Sequence, residues 1–272
     1  MRIITFERNG TVQHGIRNGD TVQLCPDAKS VVDLAMNGAP QSGEAVALSE
    51  VHLLPPVPRP GKIICIGLNY RAHAIEGGNA IPDYPAVFMR CTTSLAAPDA
   101  ALIYPECSDK FDYEAELAVV IGKTATAVSA ADALDYVAGY SCFNDGSVHD
   151  YQRKSTQWTM GKNFDGTGGF GPELVTPDEL PAGASGLRLV ARLNGEIMQD
   201  SDTGDMIFDV ATLIATLSEG MTLEPGDVIA TGTPSGVGYA RTPPVFMKPG
   251  DVIEIEIEKI GVLTNTIARR GA

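Results

Sequence analysis

The stretch FDYEAELAVVIGK, residues 111–123, sets two carboxylates, Glu114 and Glu116, directly ahead of the apolar run Leu117–Ile121. In a β-strand, residues i and i+2 project from the same face. Glu114 and Glu116 are therefore predicted to share a face, with Ala115 and Leu117 on the other. The acidic face continues into Ala118 and Val120, so it turns apolar and heads into the core. Two like charges at the edge of a low-dielectric interior repel, and each carries a desolvation cost. Either a cation neutralises them or they sit at a solvated strand end.

The chain holds its own control in DVIEIEIEKI, residues 251–260. There Glu254, Glu256 and Glu258 alternate throughout with Ile253, Ile255 and Ile257, the pattern of a half-buried antiparallel strand with a solvated acidic face. At Glu114 and Glu116 the alternation breaks down, which leaves a metal site open. A third carboxylate, Asp145, follows the apolar stretch Tyr136–Phe143 and precedes Gly146, so a strand end is expected there. Three carboxylates from two strands, with water completing the shell, suit a hard cation such as Mg2+ or Mn2+. Zinc would recruit His or Cys at short spacing.

Three further groups carry chemistry. In GLNYRAHAIEGG, residues 67–78, His73 and Glu76 stand at i, i+3 on a helical turn, where a carboxylate can orient an imidazole as a general base. Gly77 and Gly78 follow and would permit a lid to move. Lys162, in WTMGKNFDGTGGFGP (158–172), could stabilise a developing enolate or bind a carboxylate. Arg90, closing PAVFMR, could clamp a substrate carboxylate or cap a strand. Two glycine-rich stretches are not nucleotide sites. GTGGFG (166–171) matches GxGxxG, but Pro172 follows at once and no helix opens. TGTPSGVG (231–238) lacks the GK[ST] of a phosphate loop and reads as a turn able to present backbone N–H groups to an anion.

Composition bounds the rest. At 272 residues and 44% hydrophobic the chain can bury a sizeable core. Its formal charge of −14 argues against nucleic-acid and anionic-membrane partners. No apolar run approaches the roughly 18 residues of a membrane helix, and MRIITFERNG lacks a signal peptide's apolar segment. Cys25, Cys65, Cys91, Cys107 and Cys142 form no CxxC pair and read as reduced thiols, mostly packing residues, in a cytoplasmic protein. PPVPRP, residues 55–60, is a stiff connector. It marks a small N-terminal domain, 1–58, with short strands and a helix near SVVDLAMNG, from a larger unit, 59–272. In the larger unit short strands dominate and MIFDVATLIATLSEG (206–220) has helical spacing. The expected class is mostly β or α+β with an irregular, rolled sheet rather than a doubly wound α/β fold.

Taken together, GLNYRAHAIE, FMR, FDYEAELAVVIGK, FNDGSVHDYQRKSTQWTMGKNFDGTGGFGP and TGTPSGVG come in the order seen in the fumarylacetoacetate hydrolase family, which the chain resembles over about residues 60–270. The resemblance implies a mixed β-sandwich-and-roll with a small N-terminal α+β domain, a homodimer, and one Mg2+ or Mn2+ per subunit. Glu114, Glu116 and Asp145 match the family's metal ligands, and His73 and Glu76 match a water-activating dyad on a lid. Lys162 matches the lysine that steadies an enolate. Thr233, Arg90 and Gln152 fall where members contact substrate. It further implies a metal-dependent hydrolase cleaving a C–C bond in an acylpyruvate-like diketo acid from aromatic or sugar-acid catabolism. The alternatives on the same site are an oxaloacetate or other β-keto acid decarboxylase and a hydroxymuconate-type isomerase, since fold does not fix the reaction. The lid after Glu76 and loops 201–206 and 239–246 are expected to shape the side-chain pocket. One departure stands out. Where many members read Asn-Asp-Val-Ser-Ala-Arg-Asp, this chain reads Asn144-Asp145-Gly146-Ser147-Val148-His149-Asp150.

Overall fold

The computed structural model describes residues 1–38 and 43–271. Its frame is a twelve-stranded mixed sheet among those residues. Strand Ala115–Ile121 pairs antiparallel with Val137–Asp145 on one side and with Val228–Ala230 on the other. Beyond Val228–Ala230 the sheet ends in Ile63–Gly67 and the edge strand Ala86–Arg90. Beyond Val137–Asp145 it continues through Gly168–Val175 and then Arg2–Arg8, which joins the N-terminal strands to it. A second sheet of five strands, Glu196–Asp202, Arg188–Leu193, Val252–Ile257, Gly261–Ala268 and Leu102–Ile103, packs over one face.

Every residue of Ala115–Ile121 is buried, because each face of the strand meets a different core. The odd positions Leu117, Val119 and Ile121 join the cluster of Leu189, Ile253, Ile255 and Ile257 from the second sheet and Leu213 and Ile214 from the helix Val210–Gly220. The even positions Ala118 and Val120 join Val31 and Leu34 of the helix Val31–Asn37, with Ile3, Phe143, Phe170 and Leu174. A strand covered on both sides needs apolar residues at every position. This one departs from that rule only at Glu116. The control stretch behaves as its pattern demands, with Ile253, Ile255 and Ile257 buried and Glu254 and Glu256 partly open.

The helix Val210–Gly220 begins where Asp209 accepts the Thr212 N–H at 2.8 Å, and it buries Val210, Leu213, Ile214 and Leu217 at helical spacing. The shorter helix Val31–Asn37 is capped by Ser30 in the same manner. The glycine-rich GTGGFG stretch opens no helix, as its Pro172 implied. It leads into the strand Gly168–Val175, buried along its whole length. Glycine is a weak strand former, but an ideal Cβ at Gly168 would lie 2.8 Å from the Arg90 guanidinium and one at Gly169 2.4 Å from the Asn265 amide oxygen. Close approach of neighbours, rather than propensity, selects glycine there.

All five cysteines are free, with Cys91 and Cys107 exposed rather than packed. No helix among the described residues is long and apolar enough to cross a membrane.

Candidate active site

The two antiparallel strands bring the acidic residues together at one end of the sheet. Ala115 faces Asn144 and Glu116 faces Phe143 in the register, so Glu114 and Asp145 extend past the paired segment on the same side. The Asp145 N–H donates to the Glu114 carbonyl at 2.9 Å, and the Glu114 N–H donates to the Asn144 side-chain oxygen at 3.0 Å. One carboxylate oxygen each from Glu114, Glu116 and Asp145 lies within 4.8 Å of the others, and all three residues are buried.

Two buried cations answer these charges. Lys162 Nζ donates to Glu114 Oε2 at 2.7 Å and to Asp145 Oδ2 at 2.6 Å. Arg90 donates to Asp145 Oδ1 at 2.5 Å, to Ser94 Oγ at 3.1 Å and to Thr167 Oγ1 at 2.9 Å. Burial, reinforced by the charges of Asp145 and Glu114, pushes the Glu116 carboxyl well above the usual carboxylate range. Burial acts in the same direction on Asp145, but Lys162 and Arg90 outweigh it and hold that carboxyl low. For Lys162, burial opposes the charge, yet Asp145 and Glu114 keep the ammonium above the ordinary lysine value. Three buried carboxylates thus face two buried cations, and the Glu116 carboxyl has only the Gly232 N–H, at 2.9 Å, as a hydrogen-bond partner among the described residues. This set fits a divalent cation. It offers three hard oxygen donors at one point, and the Lys162 ammonium between Glu114 and Asp145 stands in for positive charge there.

The loop 231–238 does present its N–H groups to anions, and the anions are the protein's own carboxylates. Gly232 donates to Glu116, Gly236 to both Glu76 oxygens at 3.0 and 3.1 Å, and Gly238 to Asp112 at 2.8 Å. Glu76 ends the helix Arg71–Glu76, and its Oε2 lies 3.5 Å from His73 Nδ1, the outer limit of a hydrogen bond. Through Glu76 the short helix is tied to the loop beside the acidic cluster. Gly78, with φ of 70°, makes the turn out of the helix in a conformation that favours glycine.

A cavity of about 300 Å³ opens over this cluster. His73, Glu114, Glu116, Gln152, Lys162 and Thr233 line it. Thr233 Oγ1 accepts a hydrogen bond from Gln199 Nε2 at 2.8 Å, so its own proton is left for a group in the cavity. Gln152 Oε1 is buried without a hydrogen-bond partner among the described residues. Asp145, Glu76 and Arg90 stand behind the wall. Every nitrogen of the Arg90 guanidinium is bonded within the protein, so Arg90 sits against Asp145 rather than facing the cavity.

Several lining residues had no signal in the pattern. Trp158 and Phe88 meet edge to face, centroids 5.5 Å apart, and form an apolar wall. Trp158 presses on Gly67, where a Cβ would lie 2.2 Å from the indole. Arg153 also lines the cavity, and so do Asn79, on the segment after Glu76, and Tyr239, on the 239–246 loop, both in segments expected to shape the pocket. Loop 201–206 does not. Ser201 and Asp205 border a separate hollow with Tyr70, Arg71, Ala72 and Ile75 on the far side of the short helix. His149 is a wall residue whose Nε2 lies 3.0 Å from Asp112 Oδ2 and 4.0 Å from Glu114 Oε1. Neither ring nitrogen is aimed well enough at a partner to form a hydrogen bond.

Comparison with known proteins places this arrangement among relatives. Residues 62–268 match the family model described as fumarylacetoacetate (FAA) hydrolase C-terminal, and residues 1–56 match that described as Rv2993c-like, N-terminal. An oxaloacetate tautomerase of Bacillus subtilis, YisK, is 48% identical over 225 residues, which cover 81% of this chain and 74% of that protein. The solved fumarylacetoacetate hydrolase of Exiguobacterium antarcticum superposes with a TM-score of 0.88 at 36% identity, covering 99% of this chain and 100% of the other. A 5-carboxymethyl-2-hydroxymuconate delta-isomerase from Mycobacterium smegmatis superposes with a TM-score of 0.84 at 33% identity, covering 99% and 100%.

Proposed function

The chain belongs to the fumarylacetoacetate hydrolase family, and on that premise we propose that it interconverts the keto and enol forms of a 2-keto acid of the oxaloacetate class. The observation that carries this reading is one small cavity lined at once by His73, Lys162, Glu114 and Glu116. Keto–enol exchange needs a base near a carbon, positive charge near an oxygen, and little else. The C3–H bond breaks, its electron pair becomes the C2=C3 bond, and the carbonyl oxygen gains the proton. His73, its Nδ1 beside Glu76, takes the proton from carbon. Lys162 remains an ammonium in the buried cluster and favours the developing oxyanion. Thr233 offers its free hydroxyl proton, and Gln152 its amide, to the acid end of the substrate. Glu114, Glu116 and Asp145 are the residues that would hold Mg2+ or Mn2+, and such a cation polarises a carbonyl without needing a proton of its own. The B. subtilis tautomerase and the M. smegmatis isomerase both carry names of proton-relocating reactions, which supports the reading.

A second reading, hydrolysis of an acylpyruvate, rests on the His73–Glu76 pairing, which equally suits activation of a water. The two separate by product. Supplied with Mn2+, the protein is expected to accelerate the approach of oxaloacetate to its keto–enol equilibrium, followed by enol absorbance, and to lose this activity in EDTA. Acetylpyruvate should give no acetate. Pyruvate plus acetate from acetylpyruvate would establish the hydrolase instead, and pyruvate plus CO2 from oxaloacetate a decarboxylase.

A further inference from the structure

Arg153 is the cationic side chain of the cavity that the chemistry above leaves unused. It caps the helix His149–Gln152, donating its backbone N–H to the His149 carbonyl at 3.2 Å. Its guanidinium carbon lies 4.8 Å from the centre of the Tyr239 ring, and that ring in turn lies 4.2 Å from the His149 imidazole. The three side chains form a contiguous row, the two rings tilted by 49°, running from the solvent-exposed Arg153 to His149, which is 4.0 Å from Glu114. Among the described residues, Arg153 makes no ion pair with a carboxylate, in contrast to Lys162 and Arg90. The guanidinium lies over the Tyr239 ring and makes no side-chain hydrogen bond among the described residues, so its N–H groups remain for a carboxylate, which arginine can take through two parallel hydrogen bonds.

Charge makes the same point. The interior of the site balances its carboxylates against Lys162, Arg90 and the cation it is built to hold, so a first substrate carboxylate can be accommodated there. A second carboxylate would enter beside Glu114, Glu116 and Asp145 and be repelled unless a further cation met it. We propose that Arg153 is that cation, a specificity residue at the cavity mouth that selects 2-keto acids bearing a second carboxylate at the far end of a short chain. The inference rests on the keto–enol reading of the site. It adds that the distal acid group, rather than the apolar wall of Trp158 and Phe88, decides which keto acid is taken.

The test compares oxaloacetate with its 4-methyl ester, which enolises in the same way but carries no distal charge. Steady-state kinetics with Mn2+ are measured for the parent chain, Arg153→Leu and Arg153→Lys. Charge-assisted hydrogen bonds at a partly exposed site are worth about 10- to 100-fold in binding. Arg153→Leu should therefore raise KM for oxaloacetate by about that factor with kcat nearly unchanged, and should leave the ester's constants as they were. Arg153→Lys should recover part of the loss. A variant that affects both substrates alike, or that leaves KM for oxaloacetate untouched, overturns the assignment of Arg153 while the keto–enol reading stands. A parent chain that turns over neither substrate overturns that reading, and the inference with it.

Discussion

In EDTA, Lys162→Met will unfold about 10 °C below the parent chain, because breaking a buried ion pair by removing one partner costs about 3–5 kcal/mol and each kcal/mol moves Tm by about 2–4 °C at this chain length. Methionine fills much of the same volume, so the loss reports charge more than packing. Without the ammonium, Glu114 Oε2 loses its 2.7 Å partner and Asp145 keeps only Arg90. The second half of the prediction concerns metal. In the parent chain the ammonium holds one oxygen each of Glu114 and Asp145, two of the three residues that would hold a divalent cation. In the variant those oxygens are free and mutually repelling, so saturating Mn2+ should raise Tm of Lys162→Met by more than it raises that of the parent. Calorimetry with and without Mn2+ measures both. Equal gains in the two proteins would mean that the cation and Lys162 do not share ligands.

His73→Ala should lower kcat for keto–enol exchange by about 10²- to 10⁴-fold, the usual contribution of a positioned general base. Mn2+ binding, followed by titration, should be unchanged, since His73 is not one of the converging oxygen donors. Glu76→Gln should fall between the parent and His73→Ala. The amide can still approach the imidazole, but its neutral oxygen accepts the Gly236 N–H more weakly and so holds the short helix less firmly to the loop. Loss of hydrolysis with retained tautomerisation would instead assign His73 to water. Decarboxylation, which needs no attacking water, should be the least sensitive of the three.

Which parts of the site could be read from sequence follows from how local their signals are. Glu114, Glu116 and Asp145 were legible because strand alternation and a strand-ending Asp-Gly are properties of neighbours in the chain. The contrast with Glu254 and Glu256 separated a buried acidic position from a solvated one by the same rule. His73 and Glu76 were legible for a similar reason, one helical turn apart. The strand Gly168–Val175 was not, because what selects glycine there is Arg90, Asn265 and Pro98, residues distant in the chain. Arg90 was visible as a strand-end cation, but its burial against Asp145 depends on that same bare backbone. Asn79 and Tyr239 fall on the lid and the 239–246 loop where the pocket wall was expected, but Trp158 and Arg153 arrive on helix ends whose sequence carries no period. Nothing short of the fold brings them to one cavity.

The wall formed by Trp158 against Gly67 and Phe88 has an optical consequence, since Trp158 is the only tryptophan in the chain. Light absorbed beyond the reach of tyrosine is emitted from the cavity alone, with no background from the rest of the fold. The indole lies in the same cavity as Lys162 and the acidic cluster, so the protein carries its own spectroscopic probe of occupancy. An anion drawn into the site, a cation that rearranges Lys162, and a movement of the short helix over the cavity would each alter the field or the solvent at one chromophore. Binding can therefore be followed in the unlabelled, unmutated chain, independently of turnover.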